Sequence, residues 1–249
     1  MIYFIGAGPG DPELLTLKGK RLLGECRVVV YAGSLVNPEI LRYAPPGAEL
    51  HDSSRLHLKE IIHLMEEAHH RGHSVARLHS GDPSLYGALR EQTEELRKRG
   101  IPFEIIPGVS SFQAAAARLE RELTVPGVTQ TVILTRLGGK TPVPEGESLR
   151  FLAQHRATMV IFLSVDRLKE VVEELSFSYP PETPVAVLYR LGYPDEVVVQ
   201  GTLATIVERA GERRFHRQAL IVVGDALGED FLPSRLYDAS FSHGFRKSP

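Results

Sequence analysis

Short apolar runs that break on glycine or proline, each followed by a stretch with apolar residues at helical spacing, repeat along the first half of the chain. Ile2-Tyr-Phe-Ile-Gly6 leads into Gly6-Ala-Gly-Pro-Gly-Asp11, residues 74–79 alternate and end on Gly81-Asp82-Pro83, and residues 101–106 give way to Pro107-Gly-Val-Ser-Ser111. Each predicts a strand, a sharp turn and a helix, with helices over 12–24, over 84–99 and after Ser110. Residues 27–31 and 48–51 read as further strands, and Asn37-Pro38 opens a short helix. Leu58, Ile61, Ile62, Met65 and Ala68 recur at helical spacing, predicting an amphipathic helix that stops at Gly72, with Met65 in the core and cap oxygens on Asp52-Ser53-Ser54. Alternating strands and helices predict one parallel sheet covered on both faces.

The pattern shifts near Leu123-Thr-Val-Pro-Gly-Val128. Two α/β domains are therefore expected, residues 1–117 with Gly/Pro-rich turns and residues 118–249 after them. In the second, strands are predicted over 131–136, 158–163, 184–190 and 218–223, and helices over 148–154 and 165–175. Residues 137–147 form a long loop. Residues 196–200 can fold back on the preceding strand, which makes the second sheet mixed, and Thr202 is expected to cap a helix ending at Ala210. The tail beyond Asp225 is expected to fray.

Length agrees with two domains, since 249 residues exceed one typical domain of about 100–150. With 43% hydrophobic and 24% charged residues and a net charge of −2, the composition gives no general pull toward nucleic acid or an acidic membrane. No apolar run approaches the roughly 20 residues of a membrane span and no targeting segment is evident, so a cytoplasmic protein is expected. The single cysteine, Cys26, excludes an intrachain disulfide and any multi-cysteine metal site, and reads as a small buried residue. His63, His69, His70 and His73 cluster near a helix end, where cations are favoured without a metal; no metal site is expected.

Turns at the carboxyl ends of parallel strands are where open α/β sheets place ligands. Gly81 lets a ligand approach the main chain, Pro83 fixes φ, and Asp82 can cap a helix or accept a ligand hydrogen bond; a purely structural turn is the plain alternative. Ser110 and Ser111 likewise either bind a polar ligand or cap a helix. The glycine loop at 6–11 invites comparison with the dinucleotide fingerprint and fits it poorly: Asp11 stands at the sixth position, and Ala32-Gly33-Ser34 stands where a ribose-binding acid is expected. A nicotinamide-dependent oxidoreductase, or a non-catalytic nucleotide-binding module, is the alternative of a different class. No Ser-His-Asp elbow, Walker loop, HExxH helix or paired-cysteine set is present. Methyl transfer from a sulfonium to a nucleophilic carbon needs little from side chains beyond positioning and a dry cleft.

Gly6-Ala-Gly-Pro-Gly-Asp-Pro-Glu-Leu-Leu-Thr16, Gly81-Asp82-Pro83 and Pro107-Gly108-Val-Ser110-Ser111 together resemble the tetrapyrrole methylases, enzymes that use S-adenosylmethionine. Tyr31-Ala-Gly-Ser-Leu-Val36, the run from Leu78 to Ala88, and Leu123-Thr-Val-Pro-Gly-Val-Thr-Gln-Thr131 resemble the branch that methylates C11 of precorrin-4, with or without cobalt; methylation at another ring carbon, or of a non-tetrapyrrole acceptor, is the alternative within the family. The chain departs from that branch at Leu191-Gly-Tyr193, where Ala-Ser-Trp is expected. The resemblance implies two α/β domains with the cofactor in the cleft between them, a homodimer, and a small-molecule tetrapyrrole as substrate. It implies cofactor contacts from Pro9, Gly81, Asp82, Pro83, Leu85, Tyr86, Ser110 and Ser111, with Leu163, Tyr189, Arg190, Gln218, Ala219 and Leu220 around the adenine. Core packing is the alternative for Leu163 and Ala219. A carboxylate-fringed ring calls for arginine forks, and Arg55, Arg77, Arg136 and Arg190 flank strand ends or loops, Arg136 and Arg190 ranking first. No catalytic base stands out.

Overall fold

The computed structural model describes residues 1–211, 213, 215, 217–234 and 238–247. The chain forms two compact units: Met1–Ala114 with Arg190–Glu196, and Ala115–Tyr189 with Val197–Pro249. The division falls three residues before the expected boundary, and a seven-residue run from far along the sequence belongs to the first unit.

In the first unit, strands β1 (Ile2–Gly6), β2 (Val28–Tyr31), β3 (Glu49–Asp52), β4 (Val75–His79) and β5 (Phe103–Ile106) form a sheet of order β3-β2-β4-β1-β5. Every pairing in it is parallel. Helix α1 (Leu17–Leu23) follows β1, α2 (Leu58–His70) precedes β4, α3 (Leu89–Lys98) follows β4 and α4 (Ser111–Leu119) follows β5. The strands feed two cores. Ile5, Val29, Ala76 and Leu78 pack with Leu22 and Leu23 of α1. Ile2, Phe4, Val28 and Val30 pack with Ile62 and Met65 of α2 and Leu96 of α3. Met65 is wholly buried, which removes a side chain worth about 1.5–3 kcal/mol from water. The connections leaving the neighbours β1 and β4 thus cross to opposite faces. That reversal opens a crevice at their carboxyl ends.

Two helices start later than the apolar pattern predicts, because side chains capture the backbone first. Asp82 Oδ1 accepts the Ser84 amide at 2.8 Å, residues 83–86 form turns, and α3 begins only at Leu89. Asp11 caps a short 3₁₀ turn at Pro12–Leu14, and Thr16 Oγ1 then accepts from the Gly19 amide at 3.1 Å to start α1. Asp52 is likewise no cap for α2; its Oδ1 accepts from Gly33 at 2.9 Å and Ser54 at 2.8 Å, and His57 precedes the helix. Cys26 is buried, and burial first, then the Glu25 carboxylate, push its thiol up to about 12.

In the second unit β6 (Val132–Arg136), β7 (Thr158–Phe162), β8 (Pro184–Tyr189), β9 (Val197–Thr202) and β10 (Ala219–Val223) form a mixed sheet of order β6-β7-β10-β8-β9. Only β6 and β7 pair in parallel; β8 and β9 form the expected hairpin. Helices α5 (Leu149–Ala153), α6 (Leu168–Leu175) and α7 (Ile206–Ala210) cover one core, in which Leu149, Met159, Ile161, Val171, Val187 and Ile221 are buried. Thr202 ends β9 rather than capping α7, and its amide donates to Thr205 Oγ1 at 3.0 Å. Beyond Asp225 the tail is pinned at Leu232, whose amide donates to Pro126 O at 3.3 Å. No helix among the described residues is long and apolar enough to cross a membrane.

Candidate functional site

The exits of β1, β4 and β5 are joined by main chain packed against main chain. Gly8 and Gly81 form a two-way bridge, Gly81 N to Gly8 O at 2.8 Å and Gly8 N to Gly81 O at 3.2 Å, and both have left-handed φ, +75° and +65°. A Cβ on Gly108 would lie 2.7 Å from Gly6 Cα and strike the Gly81 carbonyl oxygen. Only glycine fits where these turns converge. Asp82 clasps the assembly: its Oδ2 accepts from the Gly108 amide at 2.8 Å, while Oδ1 takes the Ser84 amide and hydroxyl. Burial works to raise the Asp82 pKa, but the hydrogen bonds from Ser84 and Gly108 outweigh it and hold the carboxyl below the usual carboxylate range. Ser110, buried, precedes α4, and its amide donates to Gln113 Oε1 at 2.9 Å.

Pro9, Gly81, Asp82, Pro83, Ser110 and Ser111 therefore gather around one crevice. The loop after Asp82 carries Leu85 and Tyr86; Tyr86 is 47% exposed with φ +54°, and Ala88 has φ +47°. Left-handed backbone at residues other than glycine is strained and collects at functional turns. Pro83 and Tyr86 also line a hollow of about 580 Å³ with Arg90, Thr93 and Arg97.

Beneath this loop lies a polar pair. His79 is 6% exposed, its Nε2 has no hydrogen-bond partner among the described residues, and burial first, then the Arg77 cation, push its pKa down to about 3. It is neutral at ordinary pH. Arg77 is turned inward: Nε donates to Gln92 Oε1 at 3.0 Å and Nη1 to Ser53 Oγ at 3.0 Å, and burial lowers its pKa to about 10. With its guanidinium spent on interior acceptors, Arg77 holds the sheet to α3 and is not presented to a substrate. Arg55 is exposed just beyond β3. Arg136 binds its own loop, donating to the Thr141 and Pro142 carbonyls at 2.9 and 2.8 Å.

In the second unit the relevant strand ends share one edge. Phe162 pairs with Leu220 and Tyr189 with Ala219, which brings Leu163, Tyr189 and Gln218 to the same end of the sheet. Leu163 and Gln218 have φ +53° and +49°, as does the next residue after Tyr189, Arg190, at +51°. Leu220 and the inner part of Ala219 belong to the core, whereas Leu163 is 67% exposed. A large apolar side chain held in a left-handed turn and facing water is not core packing. Leu163→Gly should relieve about 1 kcal/mol of strain while removing an apolar surface, so it should raise the unfolding midpoint and weaken ligand binding. Denaturation beside calorimetry checks this; lower stability would refute the strain argument.

The sequence assigns no role to Gly6, Gly108 or His79, and points to Tyr193 only through the departure at Leu191-Gly-Tyr193. Gly6 and Gly108 sit inside its motifs, but which glycines touch is set only by strand order.

These features define an α/β protein whose candidate site, among the described residues, is built from turns at strand exits. The chain belongs to the tetrapyrrole (corrin/porphyrin) methylases, whose family pattern matches residues 1–207. It is 51% identical over 246 residues to the precorrin-4 C(11)-methyltransferase of Pseudomonas aeruginosa, covering 98% of both chains. The crystal structure of a cobalt precorrin-4 methyltransferase, a cobalamin biosynthetic enzyme, superposes with a TM-score of 0.88 at 44% identity over 91% of this chain and 95% of that one. A uroporphyrin-III C-methyltransferase from Thermus thermophilus in complex with S-adenosylhomocysteine matches with a TM-score of 0.74 at 33% identity, covering 91% and 92%. Membership of this family sets aside the nicotinamide reading.

Proposed function

We propose that the protein transfers a methyl group from S-adenosylmethionine to C11 of precorrin-4 or its cobalt complex, giving the precorrin-5 level of cobalamin biosynthesis. The observation that carries this reading is the glycine-only convergence of three strand exits at the β1/β4 reversal, in a chain with full-length similarity to enzymes named for that reaction. The donor fits these residues: the crevice admits main-chain contact at Gly81, and the left-handed turns at Tyr86 and Leu163 expose one aromatic and one apolar surface. The methionine and ribose end falls to Pro9, Gly81, Asp82, Pro83, Leu85, Tyr86, Ser110 and Ser111. Leu163, Tyr189, Arg190, Gln218, Ala219 and Leu220 take the adenine. S-adenosylmethionine supplies an electrophilic methyl group on sulfur. This chain's contribution is to bind and orient both reactants and to exclude water, which by itself can be worth several kcal/mol. Arg55, Arg136 and Arg190 are the proposed partners for acceptor carboxylates. The acceptor is a small tetrapyrrole, and the working form is a cytoplasmic homodimer; light scattering should give twice the chain mass.

Incubation with S-adenosylmethionine and precorrin-4, with and without cobalt, should yield a product heavier by one methyl group by mass spectrometry. Methylation of a different ring carbon, or of no tetrapyrrole, would overturn the assignment. Asp82→Ala removes the clasp between Ser84 and Gly108. It should weaken S-adenosylhomocysteine binding by more than about 1 kcal/mol, the scale of a hydrogen bond to a charged group. Unchanged affinity in titration calorimetry would refute that role.

A further inference from the structure

The run Arg190–Glu196 belongs to the first unit, and its packing there has a purpose that the donor site does not explain. A Cβ on Gly10 would strike the Leu191 carbonyl oxygen and lie 2.6 Å from the Tyr193 ring, and one on Gly192 would lie 2.8 Å from Asp11 Cβ. The run is thus pressed main chain to main chain against the turn after β1. Its own shape is braced: Arg190 lies over the Tyr193 ring at 4.2 Å, Arg190 Nε donates to Asp195 at 2.7 Å, and the Gly192 amide donates to Glu196 at 2.9 Å.

From that brace one group reaches a different strand exit. The Tyr193 hydroxyl donates to the Leu35 carbonyl at 3.3 Å, a long contact beyond the usual O–H···O range of about 2.5–3.0 Å. Leu35 lies in the turn after β2, the strand next to β4, and Gly33, Ser34 and Leu35 are exposed there. The same turn is held on two other sides, by Asp52 Oδ1 accepting from the Gly33 amide and by Asn37 Nδ2 donating to Gly10 O at 2.8 Å. The exposed run is thus held at Gly33 and Leu35 and flanked by the Asn37 bond to Gly10, on the carboxyl rim of the sheet at the exit of the strand next to β4.

We infer that Tyr193 is a positioning residue for the methyl acceptor: its ring supports the β1 turn at Gly10, and its hydroxyl sets the Gly33–Leu35 run against which a flat, apolar-faced macrocycle rests. This rests on the tetrapyrrole C-methyltransferase reading. The two ends of one side chain then serve different reactants, and their removal is separable. Tyr193→Phe keeps the ring. It should raise KM for precorrin-4 about two- to fivefold, the ratio given by a hydrogen bond of about 0.5–1 kcal/mol, with kcat unchanged and S-adenosylhomocysteine affinity unchanged. Tyr193→Ala also removes the support at Gly10 and should weaken both reactants. A merely structural hydroxyl would lower the unfolding midpoint without this split. Wild-type protein that turns over precorrin-4 beside a Tyr193→Phe variant with unchanged KM, or with donor affinity weakened as much as KM, overturns this inference alone. Wild-type protein that methylates no tetrapyrrole overturns the functional reading and this inference with it.

Discussion

Gly108→Ala is expected to weaken S-adenosylhomocysteine binding at least about tenfold and to destabilise the protein by about 2–3 kcal/mol, the upper part of the range for overpacking. The added methyl would meet Gly6 Cα at 2.7 Å and the Gly81 carbonyl oxygen, and both are main-chain atoms, Gly6 ending β1 and Gly81 held in the bridge to Gly8. A flexible side chain could swing aside; these atoms move only if the exits of β1 and β5 part. Parting them also strains the hydrogen bond from the Gly108 amide to Asp82, so the turn that shapes the crevice loosens at the same point. Gly146→Ala serves as control, since nothing among the described residues lies within 4 Å of its Cβ position, and should stay within about 0.5 kcal/mol. Urea denaturation and titration calorimetry on the two variants decide the matter. Wild-type affinity in Gly108→Ala would refute the glycine-only account of the crevice.

The second large effect concerns acid. His79 is held down to about 3 in the folded chain, by burial first and by Arg77 second, against an unfolded value of about 6.5. Between these values the unfolded chain binds a proton that the folded chain refuses, so stability falls as pH drops through that window. Over pH 6.5 to 5, above the range where most carboxylates titrate, the loss from this one ring is about 1.5 kcal/mol. His79→Gln removes the titration and should flatten the slope of unfolding free energy against pH by that amount, whatever it does to stability at pH 7.5. An unchanged slope would mean that the ring takes up its proton without resistance. Acidification further, through the depressed pKa of Asp82, then removes the charge that holds Ser84 and Gly108 and should weaken donor binding in whatever fraction remains folded.

Much of this was legible in the sequence because glycine and proline mark where strands stop. The turns at 6–11, 81–83 and 107–111 follow from their residues, and the sheet order then makes them neighbours. Helix starts were less legible. Asp82 and Thr16 bond nearby amides and hold the chain out of helix for several residues, a competition that hydrophobic spacing does not record. Arg77 was a candidate for substrate because it flanks a strand end. In a sheet covered on both faces, however, each side of a central strand points inward, and Gln92 and Ser53 consume its donors. The contact from Tyr193 to Leu35 spans 158 positions and has no local signature at all.

The lone thiol has a practical consequence. Buried and with a pKa raised to about 12, Cys26 offers almost no thiolate at neutral pH and should ignore maleimides and iodoacetamide. Any cysteine introduced at the exposed Leu35 or Leu163 would be the single reactive handle on the chain. A fluorophore there could report arrival of the macrocycle or of the methyl donor separately, without first stripping the native sulfhydryl.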